Sequence, residues 1–129
     1  MVKSTEKEKA YNREWSKKNA KKKNISSMKW ARNNPERARG YHIKSKYNIT
    51  QEQYDELLVK QNYVCAICFK PETSKHQANG KIKPLSIDHN HETGKVRGLL
   101  CHKHNLAIGT FDDDVMLLES AKQYLIRNN

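Results

Sequence analysis

The chain has 129 residues, with 25 Lys+Arg against 14 Asp+Glu, a formal net charge of +11 and a mean hydropathy of −1.01. At 36% hydrophobic residues only part of it can enter a packed core. Its longest apolar run, Val64 to Phe69, is far short of the roughly 20 residues that cross a bilayer, so no membrane association is expected.

The N-terminus, Met1 to Lys7, is charged and precedes no apolar segment, which argues against a secretory signal and for a reducing cytoplasm. Three cysteines cannot all pair within one chain, so a disulfide scaffold is not expected. Residues 1 to 46 hold fifteen Lys/Arg and four Asp/Glu, whereas residues 47 to 129 hold ten of each sign. The chain therefore divides into a basic, largely helical arm, 1–46, and a neutral domain, 47–129. A polyanion is the natural partner of the arm.

Good helix formers such as Glu6, Lys9, Ala10 and Arg13 predict a helix over 4–23, and Pro35 opens a second over 35–46. Neither has a wide apolar stripe. The arm repeats a short unit, Trp15-Ser16-Lys17-Lys18 and Trp30-Ala31-Arg32-Asn33. Lys17, Lys18, Lys21, Lys22, Lys23, Arg32, Arg37 and Arg39 can neutralise phosphates, and Trp15 and Trp30 can lie on sugars or bases. The alternative is a solvated tail whose aromatics only pack on the domain; the charge concentration with interspersed rings favours nucleic-acid binding.

In the domain, Thr50 followed by Gln53 is a capping box, and Tyr54, Leu57, Leu58 and Gln61 recur at helical spacing, predicting a helix over 51–62. A polar loop with Asn79-Gly80 follows Cys65-Ala66-Ile67-Cys68. Residues 85–88 and 95–100 read as two strands joined by a turn at Glu92-Thr93-Gly94, and 101–108 as a short helix capped by a left-handed Gly109. Asp112-Asp113-Asp114 then opens a last helix, whose Leu117, Leu118, Ala121, Tyr124 and Leu125 form an apolar stripe expected to be buried. Core packing accounts for Leu118 and Tyr124, although both also suit a dimer surface.

So small a core calls for a staple. Cys65-x2-Cys68 and Cys101-x2-His104 are two ligand pairs at zinc-knuckle spacing, and together they use every cysteine. His102 is the competing fourth ligand, and a redox Cys65/Cys68 pair is the other reading. A redox pair usually sits in a βαβ pattern, which is missing here, so structural Zn2+ is favoured.

Between the knuckles lies Ile87-Asp88-His89-Asn90-His91. Asp88 offers an oxygen to a hard cation and His89 an imidazole able to act as a base. His42, His76 and His102 carry no such neighbours.

The run Leu85-Ser86-Ile87-Asp88-His89-Asn90-His91-Glu92-Thr93-Gly94-Lys95-Val96-Arg97-Gly98-Leu99-Leu100-Cys101-His102-Lys103-His104-Asn105, with Tyr47-Asn48-Ile49-Thr50 through Cys68 before it, closely resembles the phage recombination endonuclease VII family of HNH, or His-Me finger, nucleases. The resemblance runs from about Tyr47 to Leu125. It implies an α+β fold: a small zinc-stapled ββα-metal domain behind the basic helical arm. It also implies a metal-dependent DNA endonuclease acting in the bacterial host cell, with branched DNA among its candidate substrates. By the same resemblance Asp88 and Asn105 would coordinate Mg2+ or Mn2+, His89 would be the general base and His91 would contact or orient the scissile phosphate. Two departures stand out. His104 replaces the family's usual cysteine, an exchange zinc tolerates. Ile108 stands where the family has an acid, which leaves a third protein ligand in doubt.

Arg97, on the second strand, is either a phosphate contact or a solvated side chain. A non-catalytic, zinc-containing nucleic-acid-binding module is the alternative function. Both a monomer and a homodimer fit the sequence.

Overall fold

The computed structural model describes residues 5–129, so the predicted helix start at Ser4 lies outside the described residues. The chain forms two compact units, one running through His42 and the other Ile43–Asn129.

The first unit contains α1, Glu6–Asn33, and most of α2, Pro35–Tyr47. Thr5 and Glu8 form a capping box at the start of α1. This helix runs ten residues past the predicted end at 23. Asn24, Ser26 and Ser27 are only mildly unfavourable inside a helix, and no breaker intervenes before Asn34-Pro35. α1 buries no residue, in keeping with its missing apolar stripe. Trp30 packs on Tyr41 of α2 with ring centroids 5.9 Å apart, and the Lys23 ammonium lies 4.7 Å from the Trp15 ring centre.

The second unit is built on the hairpin of β1, Ser86–His89, and β2, Val96–Leu100, preceded by α3, Gln51–Lys60. α4, His102–Thr110, and α5, Val115–Asn128, follow it. The fold is thus α+β, with a ββα unit in β1, β2 and α4. The Thr50–Gln53 capping box forms as predicted, with Thr50 N–H donating to Gln53 Oε1 at 2.8 Å. Ile43, Tyr54, Leu85, Ile87, Leu99 and Leu100 make the core together with Cys65 and Cys101. The buried Tyr54 hydroxyl donates to the Leu85 carbonyl at 2.9 Å, which ties α3 to the start of β1.

Gln61 acts as a side-chain strand for β2. Its Nε2 donates to the Leu99 carbonyl and its Oε1 accepts from the Leu99 N–H, both at 2.9 Å. A Cβ at Gly98 would stand 3.1 Å from that same Oε1, so glycine admits the clamp.

Two expectations fail at the C-terminal end. Gly109 is helical and exposed, and α4 instead ends in a Schellman motif: Asp113 N–H donates to Ile108 O and Asp112 N–H to Gly109 O, with Asp112 left-handed at φ 53°. The helix simply continues one residue beyond the glycine, to Thr110. The predicted buried stripe of α5 is not buried: Leu117, Leu118, Tyr124 and Leu125 are exposed and only Ala121 is half-buried. Periodicity reveals that a helix has an apolar face, not that another element of the chain covers it. Among the described residues, no helix is long and apolar enough to cross a membrane.

Candidate metal and active site

The knuckles converge as their spacing requires. One donor atom from each of Cys65, Cys68, Cys101 and His104 lies within 4.8 Å of the others. His104 presents Nδ1, 3.0 Å from the Cys101 sulfur and 3.8 Å from that of Cys65. Three sulfurs and one imidazole nitrogen at these separations suit the tetrahedral coordination of zinc. His102, the competing ligand, is outside the cluster.

Burial pushes the Cys65 thiol up, but donation from the backbone around Cys68, Cys101 and Ile67, with the His104 contact, outweighs this and brings it down to about 6. The Ile67 N–H points at the Cys65 sulfur from 3.4 Å. Burial raises the Cys101 thiol, and the neighbouring Cys65 raises it further. A site that favours a thiolate is suited to a cation.

α4 has no side-chain cap at Cys101, its own N-cap residue. Glu72, buried at 9% exposure, supplies the missing acceptor from 30 residues away: its Oε2 accepts from His102 N–H at 2.5 Å and its Oε1 from Thr73 and Ser74 at 2.8 Å. Desolvation pushes this carboxyl up, but the Ser74 and His102 backbone donors prevail and hold it below its ordinary value of 4.5. Replacing Glu72 by alanine orphans these donors and should cost about 1–3 kcal/mol. Because the folded carboxyl is depressed, its contribution is complete above pH 4.5 and disappears as pH falls through the folded value. Urea midpoints of wild type and Glu72→Ala, at saturating zinc, should therefore differ near neutrality and converge in acid.

On the other face of α4, Asp88, His89, His91 and Asn105 line one cleft of roughly 360 Å³, with Lys46, Tyr47, Leu106, Thr110 and Asp113 among its other walls. The hairpin reaches this arrangement through a bulge. Asp88 pairs with Gly98 but His89 with Val96, leaving Arg97 as the extra residue on β2. The strand ends at His89, and Asn90 turns away from the chemistry: its Oδ1 accepts from Glu92 and Thr93 N–H, shaping the turn into β2. The His89 ring stands edge-on to Tyr47 at 5.2 Å and to His91 at 4.8 Å.

Arg97 is exposed, yet its guanidinium is held by carboxylates. Its guanidinium takes both Asp88 oxygens, at 2.7 and 2.8 Å, and one Asp113 oxygen at 3.1 Å. The Asp88 bonds hold Arg97 above its ordinary basicity, against a smaller opposing effect of burial. Each Asp88 oxygen keeps a second lone pair. Asp113, absent from the predicted site, also accepts from His91 Nδ1 at 2.9 Å, and Arg97 and His91 together keep its carboxyl below the usual range. Tyr47 was likewise not foreseen as part of this cleft. No local spacing signals either residue.

The candidate nucleic-acid contacts lie in the first unit. Trp15, Lys17, Lys18, Lys21, Lys22, Lys23, Trp30, Arg32 and Arg37 are exposed there, and Arg39 is half-buried.

Comparison with known proteins gave concordant results. The chain is 43% identical over 84 residues to the "Gene 59 protein" of Mycobacterium phage D29, covering 64% of this chain and 47% of that protein. It is 39% identical over 85 residues to the protein of that name from Mycobacterium phage L5, covering 65% and 48%. It therefore spans about half the length of the curated relatives it matches. No solved structure gave a significant match. The model of the family "Recombination endonuclease VII" matches residues 40–127, which include both knuckles, the hairpin and the whole cleft, and the chain belongs to that family.

Proposed function

We propose that this protein is an HNH-type endonuclease that hydrolyses DNA phosphodiester bonds with one divalent cation, inside the bacterial host of a phage. The observation that carries this reading is the single cleft lined by Asp88, His89, His91 and Asn105.

The donor set suits a hard cation: a carboxylate and an amide carbonyl, both oxygen donors. Asp88 and Asn105 would hold Mg2+ or Mn2+, which when bound supplies Lewis-acid neutralisation of the phosphate. Arg97 fixes the Asp88 carboxylate in one orientation through two parallel bonds. His89 accepts the proton of the attacking water at a ring nitrogen, and the neighbouring Tyr47 and His91 rings restrict its orientation. His91 is 66% exposed in its side chain, so it can meet a backbone phosphate entering the cleft. Zinc on Cys65, Cys68, Cys101 and His104 holds the hairpin and α4 in register and leaves no open position for catalysis.

Residues 1–46 form the DNA-binding arm and 47–129 the nuclease domain. Exposed Lys17, Lys18, Lys21, Lys22, Lys23, Arg32 and Arg37 with half-buried Arg39 attract phosphates, while Trp15 and Trp30 offer rings.

The test presents supercoiled, linear and branched DNA with Mg2+, Mn2+ or EDTA. Cation-dependent cutting is expected, and paired cuts confined to branched DNA would identify a junction-cleaving enzyme. Salt-sensitive binding without cutting under any of these conditions would overturn the reading in favour of a zinc-containing binding module.

A further inference from the structure

The resemblance implies an acid one helical turn after Asn105, where this chain has Ile108. Yet a second carboxylate does enter the cleft from another direction. Asp112 and Asp113 are consecutive left-handed residues, at φ 53° and 57°. That backbone costs a residue with a Cβ on the order of 1 kcal/mol, although aspartate tolerates it better than most. The Schellman turn it creates carries Asp113 back over the end of α4 toward the hairpin.

Nor is Asp113 used to cap α5. Asp114 does that, its Oδ1 accepting from Met116 N–H at 2.8 Å and Leu117 N–H at 3.1 Å. The Asp113 side chain is only 18% exposed and spends one oxygen on Arg97 and the other on His91. An ionised carboxylate can only accept, so the hydrogen between it and His91 must sit on Nδ1. The neutral imidazole then has its lone pair on Nε2, the nitrogen away from Asp113. Without that contact an imidazole so exposed would sample both tautomers and several ring orientations.

We propose that Asp113 is a positioning residue for this cleft, locking the neutral His91 in the Nδ1–H tautomer and in an orientation that leaves Nε2 for the substrate, where on gaining a proton it donates to a phosphate oxygen. The catalytic consequence rests on the nuclease reading above; the tautomer does not.

Two variants of the full-length, zinc-loaded protein test it. Asp113→Gly removes the carboxylate without adding the left-handed strain that alanine would bring. Asp113→Asn keeps an oxygen that can accept from Nδ1–H. Nitrogen-15 NMR of the His91 ring, at mildly alkaline pH, should find Nδ1–H in wild type and Asp113→Asn but a mixture in Asp113→Gly. On the DNA substrate that wild type cuts, kcat should fall about 10- to 100-fold in Asp113→Gly, with KM changed by less than about threefold, and recover most of the way in Asp113→Asn. An unchanged tautomer in zinc-replete Asp113→Gly overturns the proposal. So does an unchanged kcat, or an equal loss of kcat in both variants, which would assign the effect to Arg97 alone. If wild type cuts nothing, the nuclease reading fails, and the NMR result still decides whether Asp113 sets the tautomer.

Discussion

Substituting alanine for His89 should lower Mg2+-dependent DNA cleavage by about 10²- to 10⁴-fold, the usual contribution of a general base. That corresponds to about 3–5 kcal/mol of lost transition-state stabilisation. The fold should survive the change. His89 is the last residue of β1, outside the buried core, and its ring contacts are with half-buried Tyr47 and exposed His91. The cluster of Cys65, Cys68, Cys101 and His104 uses none of its atoms. Zinc content, thermal midpoint and DNA affinity by fluorescence anisotropy should therefore stay near wild type while cleavage disappears. A variant that cuts at the wild-type rate would remove His89 from the mechanism. A variant that loses cutting together with zinc would mean that His89 serves the fold.

Stripping a zinc ion held by Cys65, Cys68, Cys101 and His104 should have the larger structural effect. Cys65 and Cys101 are at once two of the four cluster residues and, among the described residues, two of the eight in the buried core, exposed by only 0% and 7%. The strands they flank are four and five residues long, and an isolated hairpin of that size is marginal in water. Structural zinc contributes apparent folding free energies of about 10–16 kcal/mol in small domains, as much as the whole stability of an ordinary one. A tight chelator, or Cys65→Ser, should thus abolish cooperative unfolding of residues 43–129 and collapse the dispersion of their amide NMR signals. Helical circular dichroism from α1 should persist in part, since that helix has no buried residue of its own. A well-dispersed spectrum in the metal-free protein would show that packing alone sustains the unit.

The local parts of this molecule were legible in order along the chain. The Thr50–Gln53 cap depends on groups three residues apart, the two knuckles on two-residue gaps, and the Glu92-Thr93-Gly94 turn on a short polar link carrying a glycine at φ 71°. Each is settled by backbone geometry over one turn, and sequence records such distances directly. The set Asp88, His89, His91 and Asn105 was legible only through the resemblance to the endonuclease VII family, and these four side chains line one cleft.

What sequence left open depended on contacts between distant segments. Glu72 caps a helix 30 residues away, Asp113 reaches His91 across 22, and Gln61 pairs with Leu99 across 38. A carboxylate, an amide or an apolar stripe has the same composition whether it meets a partner or water. The bulge at Arg97, the left-handed turn at Asp112 and Asp113, and the uncovered face of α5 were therefore decided by tertiary packing, which alone fixes where such a group ends in space.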